Sequence, residues 1–295
     1  MKLNIDNTNK EIKQHGSYDF PFRLSHEKLS YFETHSFPWH WHTEFEITLV
    51  LEGDITYHVN ENKYHLNPGD ILFCNTNTMH AGYKACSDDC HYLSMTFHPR
   101  LVYGSSSSIL YKKYIAPITG DNSVSSVYLE GRLEETRILS EEFRNALDLY
   151  EKQTDHYEIE LMISILKMWK IIYSHCGSKE NNTGNERDTE RIRTLIEYVQ
   201  KHYPENITLE DLAGEIHLCR SESCRLFRRY MNQTMFDYLL NYRIEQSLDL
   251  LKNSNLNITQ IALQVGFSTP GYYTRLFRGR MGITPVQYRK QLLRT

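Results

Sequence analysis

Near the C-terminus, apolar residues recur every three or four positions, which predicts two short helices that each bury one face. The apolar positions are Ile258, Ile261, Ala262 and Val265 in the first helix and Tyr273, Leu276 and Phe277 in the second. Gly266 ends the first helix, and Ser268 or Thr269 caps the second, whose first turn contains Pro270. This pattern is typical of a helix-turn-helix. The residues that face outward on its second helix are Gly271, Thr274, Arg275 and Arg278.

The same pattern occurs once more, earlier in the chain. Its apolar positions are Ile207, Leu209, Leu212 and Ala213 before a turn at His217 and Leu218, and Leu226 and Phe227 after it. The outward residues of its second helix are Arg220, Ser221, Arg225 and Arg228. Between the two units, Phe236 to Leu251 predicts one helix of roughly 24 Å at 1.5 Å per residue. That length would hold two recognition helices about one duplex turn apart.

In the first third of the chain, apolar and polar residues alternate in short runs separated by turn residues, which predicts a small β-barrel. The predicted strands are Phe45–Leu51, Ile55–Asn60, Tyr64–Leu66, Ile71–Cys74 and His91–Phe97. Residues 1–20 are polar, and we expect them to be irregular and to contribute little to function.

Helical spacing returns in two longer segments, Leu133–Lys152 and Tyr157–Tyr173, which predict a helical hairpin. The segment from Ser178 to Glu186 contains no apolar residue and is predicted to be a linker. We therefore predict a multidomain protein with an N-terminal β-barrel and helical hairpin and an all-α C-terminal tandem helix-turn-helix. The expected boundaries are 1–118 for the barrel, 119–176 for the hairpin, 177–187 for the linker and 188–295 for the helix-turn-helix domain.

Charge is distributed unevenly along the chain. The net charge is −4, but residues 188–295 hold 15 Lys and Arg against 11 Asp and Glu, while residues 1–187 hold 18 against 26. The excess of positive charge therefore lies in the part predicted to read double-stranded DNA. The N-terminus lacks an apolar leader and no apolar run approaches the ~20 residues of a membrane span, so we expect a cytoplasmic protein with no membrane partner. The six cysteines show no metal-binding spacing and are expected to be reduced.

Residues 190–293 resemble the DNA-binding domain of AraC-type transcriptional regulators. The matching residues include Leu212-Ala213, Leu226-Phe227-Arg228, Tyr242-Arg243-Ile244, Gly266-Phe267-Ser268 and Thr284-Pro285. The resemblance implies a sequence-specific regulator that binds DNA as a homodimer, with the helical hairpin joining the sensor domains, and RNA polymerase is a further candidate partner. The alternative for the hairpin is that it only covers the barrel.

A second resemblance concerns the barrel. The series His40-Trp41-His42, Glu46, Gly53, Pro68-Gly69-Asp70 and His80 is similar to the two cupin motifs. Alternation along a strand points His40, His42 and Glu46 to one side, and the cupin resemblance places them inside the barrel with His80. These four residues could bind a divalent metal such as Zn, Fe, Mn or Ni. The alternative is a hydrogen-bonded pocket floor, so no cofactor is required.

Aromatic residues flank this cluster in the sequence and favour a pocket for a small polar ligand, plausibly a sugar, held by hydrogen bonds and ring stacking. They are Trp39, Trp41, Tyr57 and Tyr83. For the tryptophans the alternative is ordinary core packing. The function predicted on these grounds is a ligand-responsive DNA-binding regulator and not an enzyme. The competing hypothesis is a metal-dependent cupin isomerase or dioxygenase that uses His40, His42, Glu46 and His80.

Overall fold

The chain forms two compact units, Met1–Glu186 and Arg187–Thr295. The computed structural model of the protein describes residues 3–6, 9–12, 15–87, 89–119, 124–176, 186–231 and 233–292. Residues 177–185 of the predicted linker lie outside the described residues. Its last two residues, Glu186 and Arg187, already belong to a helix.

Two antiparallel sheets with a shared apolar core make up the first part of the N-terminal unit. Their strands are β1 (Phe22–Lys28), β2 (Ser36–His40), β3 (Phe45–Gly53), β4 (Ile55–Val59), β5 (Asn62–Leu66), β6 (Ile71–Cys74), β7 (His80–Lys84), β8 (Cys90–Phe97) and β9 (Ser126–Leu129). The five-stranded sheet has the order β1-β8-β3-β6-β9, and the four-stranded sheet has the order β2-β7-β4-β5. The predicted fold class of the N-terminal part is confirmed.

Four strands, β1, β2, β7 and β9, were not predicted from the sequence. Strand β9 corrects the expected boundary at residue 118, because it lies in the segment assigned to the hairpin and yet pairs with β6 from Ile71↔Leu129 to Cys74↔Ser126. Four residues are too few to show a periodicity of their own. The long-range pairing with β6 therefore decides that this segment is a strand.

Strand β3 separates two layers of core, as its alternation predicts. Phe45, Ile47 and Leu49 point to one face, where they pack with the helices of this unit. Val50 points to the other face, into the core between the two sheets. The polar residues Glu46 and Thr48, which have the same parity as Val50, are buried there as well.

The helical hairpin consists of α3 (Glu134–Lys152) and α4 (Tyr157–Cys176), close to the predicted bounds. Its inner face packs on the five-stranded sheet, where the Trp169 ring stacks on Phe45 with centroids 4.8 Å apart. Shorter helical segments precede it: α1 (Arg100–Tyr103), a π-helical turn (Tyr111–Ile115) and α2 (Ala116–Thr119). None of the described helices combines the length and the apolar character that a membrane span requires.

The second unit is entirely helical among its described residues. Its helices are α5 (Glu186–His202), α6 (Leu209–Glu215), α7 (Arg220–Met231), α8 (Met235–Asn253), α9 (Ile258–Gln264), α10 (Pro270–Met281) and α11 (Pro285–Leu292). Capping boxes at Thr208, Thr234 and Asn257 begin α6, α8 and α9, because each side chain accepts a hydrogen bond from the first turn. The turns before α7 and α10 contain one left-handed residue each, His217 (φ 53°) and Gly266 (φ 91°).

Arg243 of α8 connects three parts of this unit. Its Nε donates to the carbonyl of Tyr203 and its Nη2 donates to the carbonyl of Glu205, both at 2.7 Å. The same guanidinium lies against Gly266, where an added Cβ would be 2.9 Å from Cζ of Arg243 and 2.6 Å from the Tyr203 carbonyl oxygen. The central helix, the segment after α5 and the second turn therefore meet at one buried cation.

This contact predicts opposite effects for two glycine substitutions. Gly266→Ala should lower the free energy of unfolding of the second unit by about 1–3 kcal/mol, since alanine would be forced into a left-handed conformation and against Tyr203. The matched control is Gly279→Ala in the exposed part of α10, where an added Cβ meets no atom within 4 Å. It should raise stability by about 0.5–1 kcal/mol through helix propensity. Hydrogen exchange of the α8 and α10 amides in the full chain measures both, and equal protection in the two variants would contradict the expectation.

Candidate functional site

The structure brings together the four residues of the predicted cupin-like cluster. The ligand atoms of His40, His42 and His80 all lie within 4.8 Å of one another, and the three side chains are buried. Glu46 lies beside them, with Oε2 3.4 Å from Nε2 of His42. The sequence analysis treated His40, His42 and Glu46 as residues of one strand, but the structure separates them. His40 ends β2, Glu46 is on β3 of the other sheet, and His42 lies between the two strands.

A β-bulge in β2 allows His40 to point inward. The pairing of β2 with β7 shifts register between Phe37 and His40, and His40 lies opposite His80. As a result Phe37 and His40, three positions apart, both face the interior between the two sheets. The Phe37 ring packs on Tyr57 at 5.3 Å, and the His40 ring lies 4.1 Å from that of His80. A regular strand would have turned one of the two outward.

Backbone carbonyls fix the tautomers of two histidines. Nδ1 of His40 donates to the carbonyl of Pro38, and Nδ1 of His80 donates to the carbonyl of Thr78, both at 2.9 Å. A carbonyl oxygen only accepts, so Nδ1 carries the proton and the neutral ring keeps a lone pair on Nε2. Burial lowers the pKa of His40 and, more strongly, that of His80, which favours these neutral rings.

The carboxylate of Glu46 occupies the centre of the cluster. Its Oε1 accepts from the hydroxyl of Tyr57 at 2.7 Å and from the hydroxyl of Thr48 at 3.3 Å. Burial alone would raise the pKa of Glu46, but the hydrogen bond from His42 and the neighbouring imidazoles outweigh it, so the pKa is lowered. His80 Nε2 lies 3.9 Å from Oε2 of Glu46 and has no hydrogen-bond partner among the described residues. The cluster is therefore an anion surrounded by imidazoles, in which the Nε2 lone pair of His80 is without a hydrogen bond from a described residue.

The N-terminal segment contributes residues that sequence reasoning missed. The His15 ring lies 5.2 Å from that of His42, and His15 Nε2 is 3.1 Å from a carboxylate oxygen of Glu11. Backbone hydrogen bonds of Glu11 and Asn9 to Trp41 hold the segment beside the cluster. Glu11 and His15 thus lie against the candidate site, in a segment that the sequence analysis expected to contribute little to function. No local signal could have shown this, because the segment has no periodicity and acquires its position by pairing with Trp41.

A cavity of about 260 Å³ opens beside the cluster. Its polar lining comes from alternate residues of β1 (Arg23, Ser25, Glu27) and β8 (Tyr92, Ser94, Thr96), from Glu11 and His15, and from His40 and Glu46. Strands β1 and β8 pair with one another, with Ser25 opposite Ser94, so their inner faces form one continuous wall. Leu3, Phe32 and Phe37 add apolar surface to the same lining, so the cavity combines apolar walls with several hydroxyl and charged groups, as sites for small ligands usually do.

Three of the four aromatic residues predicted to flank the ligand are placed elsewhere. Trp39 and Tyr83 pack against His58, at 5.8 and 5.4 Å, and therefore lie on the outer face of the four-stranded sheet. Trp41 lies under the ammonium group of Lys10. Tyr57 alone reaches the cluster, through its hydroxyl, and none of the four lines the cavity. Trp39 is buried on this outer face, because neighbouring residues of an extended strand point to opposite sides and His40 points inward.

In the second helix-turn-helix, the outward face of α10 is formed as predicted. Thr269 caps the helix by accepting from the amide of Tyr272 at 3.3 Å. Tyr273 and Phe277 are buried, and the Tyr273 hydroxyl donates to Ser247 of the central helix at 3.0 Å. The opposite face carries Gly271, Thr274, Arg275 and Arg278 at helical spacing, with Thr274 half-buried and the others exposed. The recognition face is therefore free of core contacts.

The first helix-turn-helix repeats this arrangement on α7. Leu226 and Phe227 are buried, and so is Ser223, whose hydroxyl donates to the carbonyl of Cys219 at 3.0 Å. This bond satisfies a polar side chain at a position where an apolar one would be expected. The exposed residues are Arg220, Ser221, Arg225 and Arg228.

The arginines of the two helices fall into two groups. Arg225, Arg228, Arg275 and Arg278 form no ion pair with a described residue. By contrast Arg220 pairs with Glu210 at 3.1 Å, Arg229 with Asp188 at 3.1 Å and Arg280 with Glu245 at 3.3 Å. Free, exposed guanidinium groups on a recognition helix are suited to phosphates and to guanine edges.

Two family models match the chain. An AraC-like ligand binding domain matches residues 29–167, and a helix-turn-helix domain matches residues 212–291. The first range contains most of the barrel and the hairpin, and the second contains both recognition helices.

Individual proteins match along most of the chain. The uncharacterized HTH-type transcriptional regulator YdeC of Bacillus subtilis is 30% identical over 286 residues, 97% of each chain. The melibiose operon regulatory protein of Escherichia coli is 25% identical over 255 residues, 85% of this chain and 83% of the relative. Among solved structures, ToxT from Vibrio cholerae matches with a TM-score of 0.42 and 15% identity over 91% of this chain and 97% of its own. With the ligand-binding and helix-turn-helix models in this order and YdeC aligned over nearly the full length, the chain belongs to the AraC family of DNA-binding transcriptional regulators.

Proposed function

We propose that this regulator binds specific DNA sequences in response to a small polar, sugar-like ligand held in the barrel. The observation that carries the proposal is a cavity of about 260 Å³ with hydroxyl and charged groups in its wall, beside a buried His/Glu cluster. The other unit of the same chain presents exposed arginines, Arg225, Arg228, Arg275 and Arg278, that form no ion pair with a described residue. A ligand changes DNA binding only if it binds two states of the protein with different affinity. The barrel is the place where this difference arises.

Three observations support a sugar. Hydroxyl groups of Ser25, Ser94 and Thr96 line the cavity and can both donate to and accept from a ligand's hydroxyls. The rings of Phe37 and Tyr92 belong to the same lining and take the stacking role that the sequence had assigned to other aromatic residues. One relative is named as the regulatory protein of a melibiose operon.

For DNA, we propose that α7 and α10 enter adjacent major grooves. The 19 residues of α8 extend about 28 Å at 1.5 Å per residue, which suits recognition helices roughly one duplex turn apart. Arg225 and Arg275 contact base edges in this proposal. Arg228 and Arg278, one helical turn further along, contact phosphates.

The homodimer is a proposal that rests on the outer face of the helical hairpin. Four large apolar residues are exposed there: Ile138, Ile159, Ile163 and Leu166. Covering the barrel accounts for the buried inner face but not for these side chains. Ile159, Ile163 and Leu166 recur at helical spacing on α4, as expected of a face that packs against a second copy.

A divalent transition-metal ion at the histidines is a second proposal, favoured by the two fixed tautomers. Metal-binding imidazoles usually donate their other N–H to a carbonyl, as His40 and His80 do. Their Nε2 lone pairs, together with His42 and the Glu46 carboxylate, fit a Zn, Fe, Mn or Ni ion. Such an ion would supply a positive charge to the cluster and an anchor for ligand oxygens. The alternative of a metal-dependent enzyme leaves the tandem helix-turn-helix without a role.

We predict that Arg225→Ala and Arg275→Ala each weaken operator binding by about 1–3 kcal/mol and relax base preference at two sites about one duplex turn apart. Arg278→Ala should weaken all sequences alike and reduce the salt slope by about one. The matched controls are Arg229→Ala and Arg280→Ala, which remove a charge that is already paired. Footprinting and salt titrations measure these effects, and unchanged operator affinity in both of the first variants would refute the assignment.

The dimer proposal predicts that the double variant Ile159→Glu/Ile163→Glu is monomeric at micromolar concentration while the wild type is dimeric, because two carboxylates would have to be buried unpaired. Thr154→Glu, in the exposed turn before α4, adds a charge away from this face and should remain dimeric. Analytical ultracentrifugation distinguishes the two states. A monomeric wild type would contradict the proposal.

His80→Ala should leave basal operator binding near the wild-type value and abolish the response to the effector, since the cluster lies beside the cavity. The matched control is His58→Ala, which removes another buried histidine on the outer face of the same sheet.

Metal analysis of the same samples tests the second proposal. About one metal ion per wild-type chain, lost together with thermal stability in His80→Ala but not in His58→Ala, is expected. A metal-free wild type refutes the metal site and leaves the ligand response to be judged by operator binding.

A further inference from the structure

The cavity of the barrel has a cationic group in its wall for which the described residues offer no anion. Arg23 lies on β1, half-buried, and lines the cavity. Its Nε is shielded from water and has no hydrogen-bond partner among the described residues. Arg23 pairs across the sheet with Thr96, and Thr96 pairs on its other side with Glu46. The guanidinium therefore belongs to the wall two strands away from the cluster.

Each carboxylate that lines the cavity with Arg23 is either engaged or distant. Glu46 accepts from Tyr57, and Glu11 lies 3.1 Å from His15. Glu27 is on the same face of β1 but four residues away, about 13 Å at roughly 3.3 Å per residue. A guanidinium has five donors and no acceptor, so an acceptor must come from outside. A shielded, unpaired donor is unfavourable and favours a ligand that carries an anion.

The remaining wall restricts the rest of the ligand. Between Arg23 and Glu27 the paired strands present hydroxyl groups from Ser25, Ser94 and Thr96. A ligand that extends from Arg23 along this wall meets alternating donors and acceptors, which suits a polyol chain or ring. The volume of about 260 Å³ is below the roughly 300 Å³ at which pockets for larger organic ligands begin, so a monosaccharide fits better than a longer sugar.

We propose that the effector is an anionic sugar, a monosaccharide-sized polyol whose carboxylate or phosphate binds Arg23 while its hydroxyls bind the β1–β8 wall and His40. Arginine binds both anions through paired N–H donors, so the shared chemistry is an oxyanion on a sugar. The inference rests on the proposed function, because it names the ligand class of the same cavity. It changes the expectation for neutral sugars, whose hydroxyls could accept from the Arg23 guanidinium but would leave its charge without an anion.

Calorimetry on the full-length protein tests this with matched pairs of probes. D-galacturonate and D-glucuronate are compared with D-galactose and D-glucose, which differ only in the carboxylate, and D-galactose 6-phosphate and D-glucose 6-phosphate form the phosphate arm. At least one acid should bind wild type roughly 10- to 100-fold more tightly than its neutral partner. The arm that binds identifies carboxylate or phosphate. Equal binding of the neutral partner, or no binding by any acid, overturns the inference.

Two arginine variants complete the test. Arg23→Gln should abolish the preference for the acid, while Arg132→Gln, an exposed arginine paired with Glu130 at 2.9 Å, should keep it. Full affinity of Arg23→Gln for the acid overturns the inference. Operator binding is measured in parallel, so that the anionic ligand and the ligand-responsive function are tested separately. A neutral sugar that binds and alters operator affinity supports the proposed function and refutes the anionic ligand. An acid that binds through Arg23 without altering operator affinity supports the anionic ligand and refutes the proposed function.

Discussion

Burial of one carboxylate is the constraint on which the N-terminal unit depends. A charge removed from water is costly unless hydrogen bonds and opposite charges replace the solvent. Glu46 on β3 obtains them from Tyr57 on β4 and from His42 between β2 and β3. Because Glu46 belongs to the five-stranded sheet and Tyr57 to the four-stranded sheet, their hydrogen bond joins the two sheets. The neutral rings of His40 and His80, oriented by backbone carbonyls, complete the surroundings of the anion and leave the nitrogen lone pairs that make the cluster a candidate site.

The arginines also differ in burial and in whether a carbonyl or carboxylate already binds the guanidinium. Arg243 is buried and bound to two carbonyls, so it has a structural role in joining α8 to the segment after α5. Arg229 and Arg280 are neutralised by carboxylates. Arg225, Arg228, Arg275 and Arg278, on the outer faces of α7 and α10, have no ion pair with a described residue and can bind an external anion, whereas Arg220 pairs with Glu210. In the barrel, Arg23 likewise lacks an ion pair with a described residue, but it lines the cavity and not an exposed helix face.

The cavity differs from the pocket that sequence patterns suggested. The sequence suggested that tryptophans next to the histidine motif stack on a ligand, but Trp39 points to the opposite face of β2 from His40 and packs against His58. The lining comes instead from β1 and β8, two strands that pair along their whole length, and from a polar N-terminal segment. Arg23 and Ser94 are distant in sequence and carry no motif. The pairing of β1 with β8 brings them into one wall.

Features decided by short-range physics were accessible from the sequence alone. The helical period defined both helix-turn-helix units, the central helix and the hairpin, because turns, caps and the buried face of a helix depend on residues only a few positions apart. The identity of the cluster, His40, His42, Glu46 and His80, was also recognisable from its motifs. Tertiary structure decided the strand Ser126–Leu129, the place of Glu11 and His15 beside the cluster, the shared inward direction of Phe37 and His40, and which arginines have no ion pair with a described residue. Each of these depends on pairing between distant segments or on a bulge that shifts register, and neither leaves a local periodicity in the chain.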